Sequence, residues 1–250
     1  MQDATRLKDD IWLAGLDGCR AGWIAVFVRP DGDAAQMKIV PRFSDVAAAR
    51  PARAIIAVDM PIGLPERAGR GGRAAENAVR PLLGARQSSV FSVPSRRAVY
   101  AADYAQACAY ALTTSDPPRK VSKQLFNICA KIREVDTALR ADAALAARTF
   151  EVHPEVAFWR LNGGRPLSEP KKVKSRPYEP GLALRRTLLI AAGFPRGIVE
   201  SAPPKGADAD DLLDALACAA VARRIHAGIA RSFPDPPPRD AYGLPMAIWA

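Results

Sequence analysis

The chain has 250 residues, 49% apolar and 25% charged, a balance that excludes a disordered or membrane-embedded protein and leaves room for one sizeable core but not two full domains. Its 36 lysines and arginines against 26 acids give a net charge of +10, compatible with phosphate-bearing partners such as nucleic acid, although arginine- and alanine-rich chains are also basic without binding anything. The longest small-apolar run, residues 215–222, is far short of the ~18 residues of a membrane span, so no membrane partner is expected.

In chain order, the opening "MQDATRLKDD" lacks the apolar core of a leader segment, and a cytoplasmic location is expected. Residues 11–16 and 22–28 read as strands, and 36–40 as a third after the "RPDGD" turn. Ser44 caps a short helix through Ala49. "RAIIAVDMPIGLP" then runs apolar from 54 to 58 and stops at Asp59, the pattern of a strand covered on both faces. Residues 66–147 change character and read as a helical insertion within a single domain spanning 1–250. Helical periods cover 74–83, 100–112 and 122–140, with "GARQSSVFSVPSRRAVY" as a loop between the first two. A strand returns at 149–153 and is followed by a short helix to Leu161. "KKVKSRPYEP" reads as a basic loop, 181–192 as a helix ended by Gly193, and a last long helix starts at Asp208 or Asp210 and runs to about Ala230. After the proline-rich "FPDPPPRD", the tail "GLPMAIWA" reads as a final strand. Cys19, Cys108, Cys129 and Cys218 show no CxxC spacing, which implies free thiols and no zinc site. The fold class is therefore α/β: a three-strand antiparallel meander extended by parallel strands through helical crossovers.

Four acidic blocks stand out. Asp17, in "GLDGCRAGW", can be a turn residue, but six residues separate the flanking strands where a tight hairpin needs two, and Gly15, Gly18 and Gly22 would let a ligand approach the backbone. Asp59 ends a buried strand, where α/β sheets place their sites. Glu151, His153 and Glu155 alternate in "FEVHPE", and a carboxylate in a central strand needs a cation or hydrogen bonds. Asp208, Asp210 and Asp211 are explained by capping, whereas Asp214 lies a turn inside a small-apolar helix, beside Asp211 at i and i+3. Two carboxylates about 4 Å apart repel by roughly 4 kcal/mol at an effective dielectric near 20. Convergence of these groups therefore calls for protons or divalent ions, and paired magnesium or manganese ions suit displacement at a phosphodiester.

These blocks resemble the ribonuclease H-like superfamily, and "DLLDALACA" resembles the last-helix motif of RuvC-type Holliday-junction resolvases. More closely, "GLDGCRAGW", "AVDMPIGLP", "LLGARQSSVFSVPSR", "FEVHPEVAFWRLNGG" and "DDLLDALA" are similar to the DUF429 family, described as predicted ribonuclease H-like nucleases. The resemblance implies a ribonuclease H-like mixed sheet flanked by helices and two-metal phosphodiester hydrolysis with Mg2+ or Mn2+. Asp17, Asp59 and Asp214 would be metal ligands and Asp211 a catalytic neighbour, with Asp59 shorter by a methylene than the glutamate of the resolvases. Glu151 is left as ligand, supporting group or partner of an arginine or lysine. Nucleic acid or another phosphate-bearing substrate would meet Arg86, Ser88, Ser89 and Arg96, and a second patch of Lys171, Lys172 and Arg185. Competing readings are an actin-like or sugar-kinase-type phosphotransferase and a non-catalytic nucleic-acid binder.

Overall fold

Five strands form a mixed sheet in the order β3-β2-β1-β4-β5 in the computed structural model, which describes residues 11–31, 35–49 and 54–250. β1 (Leu13–Cys19), β2 (Gly22–Val28) and β3 (Ala35–Val40) make the expected antiparallel meander. β4 (Ile55–Val58) adds parallel to β1, and β5 (Thr149–Glu151) adds parallel to β4. The "MQDATRLKDD" start and part of the "RPDGD" turn lie outside the described residues. No helix among the described residues is long and apolar enough to cross a membrane. The result is an α/β fold, a mixed sheet flanked by helices, consistent with the ribonuclease H-like expectation.

Alternation along the strands sorts the core into two faces. Ala14, Leu16, Ile56 and Val58 point to one side and pack with Leu125, Ile132 and Val135 of the long helix Lys123–Ala141. Leu13 and Ala57 point to the other, against the final helix Ala209–His226. That helix is buried continuously from Leu212 to Ala222, as a helix apolar on every side must be. Gly15 shows how closely it lies on β1. A Cβ there would stand 2.0 Å from the Ala215 carbonyl oxygen and 2.2 Å from the Ala219 nitrogen.

Gly15, Gly18 and Gly22 therefore do not clear space for a ligand. Gly15 admits the helix backbone, Gly18 faces the Lys131 side chain, and Gly22 takes a φ of 124° at the β1–β2 turn. Between β4 and β5 the chain is mainly helical and gives no strand to the sheet. Ser122 caps Lys123–Ala141 through the Leu125 amide (3.2 Å). Ser44, by contrast, lies inside the helix Phe43–Ala49, and Asp45 reaches back to the Arg42 amide (3.1 Å) instead. The segment read as a loop after Gly84 contains 3-10 turns to Ser89 and a short helix, Arg96–Val99.

Two further departures concern the C-terminal half. "KKVKSRPYEP" contains a hairpin, Lys172–Val173 against Arg176–Pro177, because Lys174 and Ser175 take left-handed backbone angles (φ 49° and 62°) that suit a two-residue turn. The tail strand Ile248–Trp249 pairs with Ser232–Phe233, outside the main sheet. All four cysteines are free and buried.

Candidate metal centre

Strand register brings the first two acids together. Leu16 pairs with Val58, and the Asp59 amide donates to the Leu16 carbonyl (2.9 Å), so Asp17 and Asp59 leave adjacent parallel strands on the same face. That face is the one the final helix covers, and it supplies Asp214 one residue from the Gly15 contact at Ala215. Each of the three offers a carboxylate oxygen, all within 4.8 Å of one another.

Asp17 Oδ1 accepts the Gly18 amide (2.7 Å), which fixes its rotamer. Asp214 is 1% exposed, and its Oδ1 is buried with no hydrogen-bond partner among the described residues. Burial, then the neighbouring acids, hold the Asp17 carboxyl well above the usual carboxylate range and push Asp59 up to about 8. Asp214 is also raised, burial outweighing the Lys171 ammonium beside it.

Lys171 is the cation of this centre. Its Nζ bonds Asp214 Oδ2 and lies 3.7 Å from Asp210 Oδ2, while Lys172 Nζ is 2.7 Å from the same Asp210 oxygen. Burial alone would lower the Lys171 ammonium, but Asp214 and Asp17 outweigh it and raise it above the ordinary lysine value. Both lysines expected in an open phosphate patch are thus turned toward the acidic helix start. Asp211 is not one of the three clustered acids and accepts the Asp208 amide (2.8 Å) in a capping box.

Glu151 lines the same cavity as Asp17 and Asp59 but is not one of the three clustered acids, for a geometric reason. It pairs with Val58 rather than Asp59, so the pleat sends it to the opposite face. There Arg73 grips it, NH2 to Oε1 at 2.5 Å and NH1 to Oε2 at 3.0 Å, and the Ile62 amide donates to Oε2 (2.7 Å). Arg73 also holds Glu76 (2.6 Å) and the carbonyls of Ile62 and Gly63, which shapes the loop after Asp59. Burial lifts Glu151 to about 7 despite Arg73. Among the roles left open for Glu151, the contacts present are those of an arginine's partner. Glu151→Gln should leave affinity for manganese within about threefold in calorimetry, because the three oxygens of the cluster are untouched. A loss of about a hundredfold would make it a ligand instead.

The remaining expected donors divide. Ser89, whose Oγ bonds the Arg86 carbonyl (2.8 Å), lines the cavity over the carboxylates, and exposed Ser88 lines a neighbouring one. Arg86 is half-buried and lines neither cavity. Arg96 is committed to Asp136 and Asp240 (2.6 Å), tying the long helix to the C-terminal loop. Arg185 is fully buried against Glu155 and the carbonyls of Glu169 and Gly181, so the donor role expected of it is closed. His153 occupies the N-cap position of the helix Pro154–Leu161 without a side-chain capping bond; its Nε2 lies 3.3 Å from the Ser89 carbonyl oxygen, and burial lowers it to about 4, leaving a neutral ring near pH 7.

The cavity above Asp17 and Asp59 measures about 360 Å³. Apart from its charged floor it is walled by Met60, Val90, Phe91, Val93, Leu125 and Ile128, contributed by the loop after β4, the loop after Ser89 and the long helix. Sequence reasoning missed these apolar walls and the Arg73–Glu76 pair. The i, i+3 spacing of "RAAE" was the one available signal for that pair.

A family model described as "Protein of unknown function (DUF429)" matches residues 15–239. Neither a curated protein nor a solved structure matches the chain.

Proposed function

The chain belongs to the DUF429 family, and from that premise and the converging acids we propose that it is a metal-dependent phosphodiesterase acting on nucleic acid. The observation that carries the reading is the buried set Asp17, Asp59 and Asp214, with oxygens within 4.8 Å of each other. Three carboxylates at that distance, one with an orphaned buried oxygen, fit a hard divalent cation such as Mg2+ or Mn2+ better than any arrangement of protons alone. When bound, such an ion would supply Lewis acidity and a water of lowered pKa for attack at phosphorus.

The protein's own groups prepare that chemistry. The Gly18 amide holds Asp17 in one rotamer, and the parallel register holds Asp59 beside it, so neither must reorganise when substrate arrives. Phe91, Val93, Leu125 and Ile128 exclude bulk water and strengthen every charge interaction on the floor of the cavity.

A cavity of about 360 Å³ holds roughly one nucleotide, which favours a single strand or a strand end over an intact duplex at the carboxylates. Purified protein with manganese is expected to cut end-labelled single-stranded DNA or RNA and to spare blunt duplex. Asp214→Asn should reduce the rate by about a thousandfold or more. No cleavage of single strands, duplexes, hybrids or junctions by the metal-loaded wild type would overturn the proposal.

A further inference from the structure

The centre carries a fixed positive charge in addition to any metal. Lys171 is not a free surface lysine reaching inward by chance. Its carbonyl accepts the Tyr178 amide (3.0 Å) at the base of the Lys172–Pro177 hairpin. The preceding Pro170 carbonyl lies so close to Gly181, in the helix Glu179–Ala191, that a Cβ there would sit 1.8 Å from its oxygen. Backbone on both sides thus clamps the residue that sends Nζ to Asp214 Oδ2. The neighbouring Lys172 takes up Asp210 (2.7 Å), which leaves the Lys171 charge facing the metal-binding acids.

Charge then decides how many ions fit. One divalent ion and one ammonium neutralise the three carboxylates of Asp17, Asp59 and Asp214. A second divalent ion would leave a buried excess of two positive charges, and would need the Asp214 oxygen that Lys171 already occupies. The buried Asp214 Oδ1, with no partner among the described residues, remains for the single ion.

We infer that this centre binds one divalent ion, and that the Lys171 ammonium stands in place of the second cation of a paired-metal site. The inference rests on the metal-dependent reading above and replaces the two-ion arrangement expected from the family resemblance. It makes Lys171 a positioning residue that holds Asp214 and neutralises the cluster.

The test is a count of bound Mn2+ by calorimetry and by electron paramagnetic resonance, on the full chain, for wild type, Lys171→Arg and Lys171→Met. Far-ultraviolet circular dichroism would verify that each is folded, with Lys171→Gln as a second neutral variant. Wild type and Lys171→Arg should bind one ion. The neutral variants should bind two, with the spin-coupled spectrum of neighbouring Mn2+ ions. Two ions in the wild type, or a single ion of unchanged affinity in both neutral variants, would overturn the role given to Lys171 while leaving the metal-dependent reading intact. No ion in any of the proteins would overturn both.

Discussion

At about pH 9 and without divalent ions, Asp59→Asn protein should resist urea better than the wild type, and at about pH 4 the two should unfold alike. The sign follows from Asp59 being raised to about 8 in the fold, first by burial and then by Asp214, while the unfolded chain titrates near the ordinary 3.8. Across that window the folded wild type keeps a proton that the unfolded chain has lost. Its stability is therefore full below about pH 4 and declines as pH rises through about 8. The amide cannot ionise and escapes the decline. The expected gain is about 2 kcal/mol near pH 9, below the full Coulomb cost of a close pair because Asp59 is partly open to water. Magnesium should reverse the order, since it stabilises the wild type by binding the ionised cluster and finds no complete site in the variant. A pH-independent difference, or a less stable Asp59→Asn at high pH, would mean that neither burial nor the neighbouring acids raise Asp59 in the fold.

Part of this centre was legible from apolar runs that stop at an acid. The run before Asp59 marks where β4 ends, whereas β1 continues through Asp17 to Cys19, paired with β2, and parallel pairing of β1 with β4 sets the two acids side by side. Glu151 looked equally central, yet one position of register separates it from Asp59, and register between parallel strands joined by some ninety residues leaves no local trace. The basic segments were harder for a different reason. Lys171, Lys172, Arg96 and Arg185 read as a phosphate-binding surface, but a sequence shows charge without its counter-charge. Asp214, Asp210, Asp136 with Asp240, and Glu155 had already claimed them. The hairpin after Lys172 was hidden because its turn uses Lys174 and Ser175 in place of the glycine or asparagine that marks such turns.

Gly15→Ala should be the most disruptive single-methyl change in the sheet, costing on the order of 3 kcal/mol or more, or preventing folding altogether. A Cβ at this position would overlap the Ala215 carbonyl oxygen at 2.0 Å and the Ala219 nitrogen at 2.2 Å, and both are helix backbone. No rotamer change can relieve such contacts, so the final helix would have to lift from β1 along its most buried stretch, Leu212 to Ala222. Asp214 immediately precedes Ala215, so that movement would also draw its carboxylate away from Asp17 and Asp59. Stability and manganese affinity should therefore fall together. In Gly18→Ala, whose added methyl meets the flexible end of Lys131 2.6 Å away, both should change much less. Urea midpoints and manganese titrations on the two variants would check the contrast. A Gly15→Ala protein within about 1 kcal/mol of the wild type would show that the helix does not lie against β1 as closely as the metal centre requires.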